Sequence, residues 1–218
     1  MKEKQKMKEK AKEFIVKNLK WIILFICLIG FLAIAENVFN KEIMNGDIVG
    51  YKLISTFLIS DFATPIAKFI TNLGDAIFLT VLTIILFILI KNKKIGVSIF
   101  SNLVIITALN QLLKNILQRP RPTEYRIIEE TGYSFPSGHS MISMAFYGYI
   151  IYLIYKYVKN KYIKWISIVL LSILICSIGI SRIYLGVHYT SDVLGGFLIS
   201  VSYLVIYISA VNKFLIEK

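Results

Sequence analysis

Six apolar segments, each close to the length of a membrane-spanning helix, constrain the fold of this chain more than any other feature. A helix needs about 20 apolar residues to cross the hydrocarbon core of a bilayer. The chain is 56% hydrophobic yet has a formal net charge of +12, a combination that is unusual for a soluble domain. We therefore predict an all-α polytopic membrane protein with six transmembrane helices in one bundle. The segments lie at roughly 18–39, 71–90, 95–113, 139–158, 163–181 and 192–212.

The basic residues predict how the six spans are oriented. With the N-terminus inside, the inside segments hold 17 of the 25 lysines and arginines, and such an excess is typical of cytoplasmic connections. Both termini are therefore predicted to be cytoplasmic in a cell membrane. All four arginines fall in the outside connections, against this trend, and need a different explanation. The inside segments are 1–20, 91–94, 156–164 and 213–218.

The N-terminal segment, residues 1–20, contains eight lysines and precedes the predicted six-span domain, residues 21–218. It fits a partly amphipathic segment on the inner membrane surface, and a solvated lysine-rich tail explains it equally well. The lysines, the apolar run and Ala33-Ile34-Ala35 also resemble a cleavable secretory signal, although the basic region is long for one. Cleavage there would leave the later spans in the same orientation.

The long outside stretch between the first two spans, residues 40–70, is apolar in part but too interrupted for a span. Lys52, Ser55 and Asp61 break its apolar run, and Pro65 disfavours one continuous helix. We expect one or two short helices that lie on the membrane surface.

Several classes of site and partner have little support in the sequence. The lysines bracket apolar runs and form no basic domain face, so no nucleic-acid partner is predicted. Cys27 and Cys176 both lie inside apolar runs and fit small apolar residues better than a disulfide or a metal site. The two histidines are not part of a Cys/His cluster, and no dense carboxylate cluster occurs, so no metal or other cofactor is predicted.

The outside connection after the third span begins with a cationic run. Lys114 is followed by Arg119-Pro120-Arg121-Pro122, and the prolines stop the helix and stiffen the exit of the chain. An arginine can bind phosphate oxygens through paired hydrogen bonds, whereas a lysine acts as a point charge. Seen alone, the run fits lipid-headgroup anchors at a helix end as well.

A tight turn precedes the fourth span. The sequence Pro136-Ser137-Gly138-His139 leads directly into the apolar run, and the unpaired N–H groups and positive dipole end of a helix start suit a phosphate. Gly138 permits close approach of an anion to the backbone. His139, beside it, can exchange a proton near neutral pH. An ordinary capped helix start with an interfacial histidine remains an alternative.

The connection between the fifth and sixth spans carries a histidine and an aspartate. Four positions separate His188 from Asp192, so a helical turn would place them on one face. The carboxylate would fix the tautomer and orientation of the ring and leave its other nitrogen free to attack. A structural contact at a helix cap is the alternative.

Both histidines, all four arginines and Asp192 fall on the same predicted membrane face. Their convergence at one interface indicates an anionic substrate group outside the cell. The set contains a candidate nucleophile, a second histidine as acid and at least three cations, which together suit phosphoryl transfer without a metal.

These stretches resemble the signature of the type 2 phosphatidic acid phosphatase superfamily. The pattern is lysine, six residues and Arg-Pro; then Pro-Ser-Gly-His; then Ser-Arg, five residues, His, three residues and Asp. Every position is met between Lys114 and Asp192, and the doubled Arg-Pro looks closest to bacterial members. The resemblance implies that the phosphate is held by Lys114, Arg121 and Arg182, with Ser137 and Gly138 assisting.

The resemblance also implies the catalytic roles. His188 attacks phosphorus with support from Asp192, His139 protonates the leaving group, and water then hydrolyses the phosphohistidine with no metal. Arg119 and Arg126 lie outside the strict pattern, and we expect them to be headgroup contacts or surface charges.

The expected activity is hydrolysis of a phosphate monoester or pyrophosphate of a membrane lipid. Undecaprenyl pyrophosphate is the first choice of substrate, followed by phosphatidylglycerophosphate and phosphatidic acid. Two alternatives stay open: a lipid phosphotransferase, in which an alcohol replaces water, and a membrane anion transporter, which leaves the pairing of His188 with Asp192 unexplained. A vanadate-using haloperoxidase fits less well, since the known type is soluble.

Overall fold

In the computed structural model every regular secondary-structure element of the described residues is a helix. The described residues are 2–41 and 43–216 for the backbone and 17–41 and 43–215 for side chains. The predicted basic segment 1–20 therefore lies largely outside the described side chains. A single π-helical turn, Asn212–Ile216, ends the described chain. The α-helices are α1 (Lys2–Phe39), α2 (Asn45–Leu58), α3 (Ala63–Asn72), α4 (Ala76–Leu89), α5 (Lys93–Leu117), α6 (Gly138–Tyr157), α7 (Lys161–Tyr184) and α8 (Thr190–Val211).

Four helices of the described chain are long and apolar enough to cross a membrane, and a fifth span results if the bent pair α3 and α4 is counted as one. The segments of the four are Lys17–Phe39, Lys93–Leu117, Lys161–Tyr184 and Thr190–Leu215. Helix α6 is not among them, because five tyrosines and the polar residues of its first turn dilute its apolar content. The all-helical architecture is confirmed, whereas the count of six spans stays a prediction.

The predicted second span, 71–90, is interrupted near its start. Helices α3 and α4 meet at an angle of 51°, and the Asp75 carboxylate caps α4 by accepting from the Ile77 N–H at 2.8 Å. At Gly74, a Cβ atom would lie 2.7 Å from Ser143 and from Ile178, so the bend lets the backbone press against α6 and α7. An aspartate after a glycine is a helix-start signal that favours this break.

The stretch 40–70 contains two short helices, α2 and the greater part of α3. Helix α2 packs against α7 and α8, and α3 packs against α7. The expectation of short helices here is met, and their position on the membrane surface stays a prediction.

Helix α6 occupies the centre of the bundle, between α5, α7 and α8. Its Tyr149 is fully buried and donates to the Ser98 hydroxyl at 2.7 Å, and the Tyr207 ring packs edge-on against it. Because these hydroxyls have partners, α6 can be buried despite its tyrosines. This arrangement holds the first turn of α6 at the same end of the bundle as the first turn of α8.

Large apolar side chains are exposed around the outside of the bundle. Soluble monomers rarely expose so much contiguous apolar surface, and a bilayer is the solvent that such side chains require. The protein is therefore a multi-pass membrane protein. Examples are Phe25, Ile29, Ile88, Ile116, Leu170 and Ile173, each more than half exposed.

Candidate active site

The exit of α5 positions the first cationic residues. Gln118 ends the helix in the left-handed conformation with φ 44°, and the chain then turns through Pro120 and Pro122 back over the ends of the helices. The Ser134 N–H donates to the Arg119 carbonyl at 2.8 Å, which closes this loop. Lys114, in the last turn of α5, donates to the Tyr133 carbonyl.

His188 lies in the short connection between α7 and α8 and is almost completely buried. Its Nδ1 is 3.3 Å from the Asp192 carboxylate and 3.3 Å from the Ser134 hydroxyl. Its Nε2 is 3.0 Å from Nη1 of Arg121. Because arginine can only donate, Nε2 accepts and Nδ1 carries the proton in this network. The nitrogen with the free electron pair therefore points towards the arginine.

The electrostatic surroundings keep the His188 ring neutral. Burial is the largest effect and lowers the pKa of His188 to about 4, with Arg182 and Arg121 acting in the same direction and Asp192 opposing them. A neutral imidazole at physiological pH is the form that can act as a nucleophile.

Both carboxylate oxygens of Asp192 accept hydrogen bonds. One oxygen accepts from Arg119 at 2.7 Å, and the other accepts from Ser134, from the Tyr189 N–H and from His188. Arg119 also binds Asp47 of α2 at 2.8 Å and the Ser191 hydroxyl at 2.7 Å. We call Asp47, Arg119, Ser191 and Asp192 the anchoring cluster.

On the Nε2 side of His188, three cations surround one carboxylate. Arg182 is 1% exposed; it donates to Thr71 at 2.8 Å and forms an ion pair with Glu130. Arg121 lies 3.8 Å from the same carboxylate. Burial acts to raise the pKa of Glu130, but Arg182 and Arg121 outweigh it and lower that pKa. We call Lys114, Arg121, Arg182 and Glu130 the cationic pocket.

The first turn of α6 adjoins this pocket. The Ser137 hydroxyl caps the helix through the N–H of Ser140, and the Ser137 N–H donates to the Asp192 carbonyl at 3.1 Å. A Cβ at Gly138 would lie 3.2 Å from the Asn110 side chain, so this turn packs closely on α5. The helix start therefore faces the same space as the cations.

His139 is brought into the same group as His188. The charged groups that act on its ring include Arg182, His188, Arg121 and Lys114, and a Cβ at Gly74 would be 3.5 Å from its Cδ2. The two imidazoles therefore lie at one end of the bundle, as the sequence predicts. All eight predicted site residues are gathered there.

The expectation for Arg119 is wrong. Predicted to be a headgroup contact or surface charge, it is only 5% exposed, because two carboxylates and the Tyr189 ring, 4.1 Å away, surround its guanidinium. Arg126 is partly buried and donates to the Pro122 carbonyl. No local feature of the sequence indicates Asp47, which lies 72 residues before its partner Arg119.

Three further site residues were not predicted: Thr71, Glu130 and Ser134. Ser134 is the one with a usable signal, since it directly precedes the turn that contains Ser137. Between residues 17 and 215, position 42 aside, no group of three histidine, cysteine or acidic side chains could hold a metal ion. Metal independence stays a prediction.

A cavity of about 660 Å³ opens beside His188. It lies between α2 and the loop that follows α5, and Asp47, Tyr51, Tyr125 and Tyr189 line it together with His188. Helix α2, from the stretch 40–70, thus forms one wall of this cavity, and of the predicted site residues only His188 lines it.

Comparison with known proteins places this arrangement in context. Residues 94–216 match the family model described as the PAP2 superfamily. The phosphatidylglycerophosphatase B of Bacillus subtilis is 40% identical over 90 residues, which are 41% of this chain and 44% of that protein. The undecaprenyl-diphosphatase of Sulfolobus acidocaldarius is 27% identical over 191 residues, 82% of this chain and 84% of that protein.

A solved structure is similar over most of its length. It is the crystal structure of a transmembrane PAP2-type phosphatidylglycerolphosphate phosphatase from Bacillus subtilis, with a TM-score of 0.77 and 27% identity. The similarity covers 88% of this chain and 96% of that one.

Proposed function

The chain belongs to the PAP2 superfamily, and on that premise we propose that it is a lipid phosphate phosphatase that works through a phosphohistidine on His188. The observation that carries the proposal is the pair of environments on the two nitrogens of that ring. Asp192 and Ser134 hold Nδ1, while Nε2 faces Arg121 and the cationic pocket. A nucleophile that is oriented on one side and aimed at a cation cluster on the other is what phosphoryl transfer requires.

In the first half-reaction, the phosphate of the lipid enters the cationic pocket. Lys114, Arg121 and Arg182 bind its non-bridging oxygens, and the Ser137 hydroxyl and the Gly138 N–H add to them. Nε2 of His188 forms a bond to phosphorus as the bond from phosphorus to the lipid oxygen breaks. His139 gives its proton to that oxygen, and the lipid alcohol leaves. Asp192 stabilises the positive charge that develops on the His188 ring.

In the second half-reaction, water takes the place of the lipid alcohol. His139, now neutral, removes a proton from the water, whose oxygen bonds to phosphorus as the bond to Nε2 breaks. Inorganic phosphate is released, and both imidazoles return to their starting states. Every group required is supplied by this chain and by water.

The substrate we propose is a lipid with a phosphate or diphosphate at the outer membrane face. Undecaprenyl pyrophosphate is tested first, because a relative aligned over 82% of this chain is named for it. Phosphatidylglycerophosphate is the nearest competitor, since it appears in the name of the relative with the structural match. Phosphatidic acid completes the series.

The proposal includes a six-span topology with both termini inside and the site outside. Helix α6 would be the remaining span, although its tyrosines lower its apolar content. Its burial between three other helices supports this assignment. The excess of lysines in the inside segments supports the orientation.

A phosphate-release assay in detergent, with the three lipids and with a chelator present, tests the function. The wild-type protein should release phosphate from at least one lipid, and His188→Ala should release none while it keeps the elution volume and melting temperature of the wild type. Phosphate release by His188→Ala would refute the phosphohistidine. Loss of wild-type activity with chelator would refute metal independence.

A further inference from the structure

The anchoring cluster lies apart from the cationic pocket, and it is built from buried charges. Asp47 is 3% exposed and Arg119 is 5% exposed. Buried ion pairs cost desolvation and are often replaceable by apolar residues without loss of stability. Stability alone therefore does not explain the buried charges of Asp47 and Arg119.

The contacts of Arg119 divide its guanidinium between two carboxylates. Nη1 donates to Asp192 at 2.7 Å, and Nη2 donates to Asp47 at 2.8 Å. Asp192 therefore has one oxygen fixed by Arg119, and only the other can face His188. Arg119 thereby fixes the rotation of the Asp192 carboxylate about its Cβ–Cγ bond. That rotation sets the direction of the hydrogen bond between the carboxylate and Nδ1 of His188.

Asp47 fixes the guanidinium in turn. Its second oxygen accepts from the Ser191 N–H at 2.8 Å, so it binds the first turn of α8 as well as Arg119. Helix α2 lies close enough for this because Gly50 faces Thr190, where a Cβ atom would come within 2.1 Å of the Thr190 hydroxyl. The chain of contacts runs from α2 through Asp47, Arg119 and Asp192 to His188.

We propose that Asp47 and Arg119 are positioning residues for the nucleophile: they keep Asp192 ionised and turned so that it accepts the Nδ1–H of His188. The proposal rests on the phosphohistidine function proposed above and extends the machinery to α2, far along the chain from the three motifs. Neither residue belongs to the cationic pocket. Removing either should therefore slow the chemical step and leave phosphate binding intact.

The first measurement reads the His188 ring directly and needs no activity. In a His139→Asn background His188 is the single histidine, so ¹⁵N-histidine labelling gives one pair of ring signals. Arg121 fixes the Nδ1–H tautomer in every variant, so the readout is the chemical shift of the Nδ1–H proton. We expect a downfield Nδ1–H proton in that background, as for an N–H that donates to a carboxylate, and an upfield shift of it when Arg119→Gln or Asp47→Asn is added. An unchanged shift of the Nδ1–H proton in both variants would overturn the proposal, whether or not the protein proves to be a phosphatase.

The second measurement separates turnover from binding. With His139 intact and dioctanoyl phosphatidic acid as probe, Arg119→Gln should lower kcat on the order of 100-fold and Asp47→Asn about tenfold, because a misdirected carboxylate neither orients the His188 ring nor stabilises the positive charge that develops on it. KM and inhibition by inorganic phosphate should stay within about twofold of wild type, because the cationic pocket is unchanged. The double variant should be no slower than Arg119→Gln alone, since the two residues act as one unit.

Tyr184→Phe is the matched control for loosening of the α2–α3 segment. The Tyr184 hydroxyl binds Thr64 at 2.8 Å and the Ser60 N–H at 3.2 Å, so its removal frees the end of α2 without changing a charge. We expect wild-type kcat and an unchanged shift of the His188 Nδ1–H proton. If Tyr184→Phe matches Asp47→Asn in both measurements, Asp47 is only a structural tie and the proposal fails. Wild-type protein that releases no phosphate from any lipid would instead contradict the proposed function alone.

Discussion

The two nitrogens of the His188 ring face two groups of buried charge that differ in how well their charges are balanced. The anchoring cluster has two carboxylates around one guanidinium, with contacts of 2.7 and 2.8 Å. The cationic pocket has three cations around one carboxylate. Within the described chain, Nε of Arg182 in that pocket has no hydrogen-bond partner, and the Glu130 side chain is 27% exposed.

The difference in charge balance indicates which of the two groups would bind an anionic ligand. The anchoring cluster has a formal charge of about −1, and arginine, hydroxyl and backbone N–H donors occupy all four of its carboxylate oxygens, so it does not attract an anion. The cationic pocket has a formal charge of about +2 with Glu130 in place, and a phosphate monoester carries about −1.5 to −2. Glu130 supplies one negative charge where a phosphate would supply two. The imbalance, and not the number of arginines alone, is what makes this pocket the candidate phosphate site.

Removing a cation from the cationic pocket should have the largest effect on activity. We expect Arg182→Gln to lower kcat/KM by about 10³-fold, because a buried donor to the transferring phosphoryl group contributes about that much. Phosphate release on a short-chain lipid phosphate measures it. Arg126→Gln is the control, an arginine of the neighbouring loop that touches neither group, and should change kcat/KM less than twofold. Similar losses in both variants would point to a general charge effect.

The His188 ring, which lies between the two groups, should stay neutral well below pH 7. A pKa of about 4 for His188, against an ordinary 6.5, corresponds to roughly a 300-fold weaker affinity for the proton. The neutral, nucleophilic form should therefore persist as the pH falls from 7 to 5, and should be lost only on approach to about 4. Titration of the ¹⁵N-labelled ring in the His139→Asn background measures it. Adding Asp192→Asn should lower the midpoint further, since Asp192 raises this pKa. A midpoint near 6.5 would contradict the buried position of the ring.

The sequence predicted the residues of the pocket better than those of the anchoring cluster, for a physical reason. Lys114, Arg121, Arg182 and His188 lie in the last turn of a helix or in the loop after it, at one end of the bundle, where the apolar segments of the sequence already place charged residues. The family match confirms the resemblance that their spacing suggests. Asp47 has no such signal, because its partner lies 72 residues later and only the packing of α2 brings them together.

Arg119 shows a second limit of prediction from the sequence. Two residues from Arg121 and beside two prolines, it looks like another interfacial cation, yet the turn at Gln118 sends its side chain inwards to Asp47 and Asp192. The break at Gly74 was missed for a similar reason: hydropathy alone joins 71–90 into one span, and only the cap at Asp75 separates α3 from α4.

Removing the carboxylate from the pocket should have a smaller effect, of opposite sign. Glu130→Gln takes away the resident anion, so inorganic phosphate should inhibit more strongly, with Ki lower by about tenfold, the equivalent of one hydrogen bond to a charged group. Product inhibition at fixed substrate measures it. Glu129→Gln, a change of the same type at an exposed neighbour, should leave Ki unchanged. A higher Ki in Glu130→Gln would mean that the carboxylate organises the arginines and does not occupy the phosphate position.

The smallest expected effect concerns Thr71 of α3. It tests whether a neighbouring helix orients the cationic pocket, as α2 orients the anchoring cluster. Thr71 of α3 accepts from Nη1 of Arg182 at 2.8 Å, so Thr71→Val removes one hydrogen bond and keeps the volume. Without that hydrogen bond, Arg182 remains paired with Glu130 alone, and kcat/KM should fall by about fivefold. Thr83→Val is matched, since Thr83 is equally buried but bonds only the Leu79 carbonyl of its own helix. Equal losses in the two variants would show that α3 contributes packing, not orientation, to the cationic pocket.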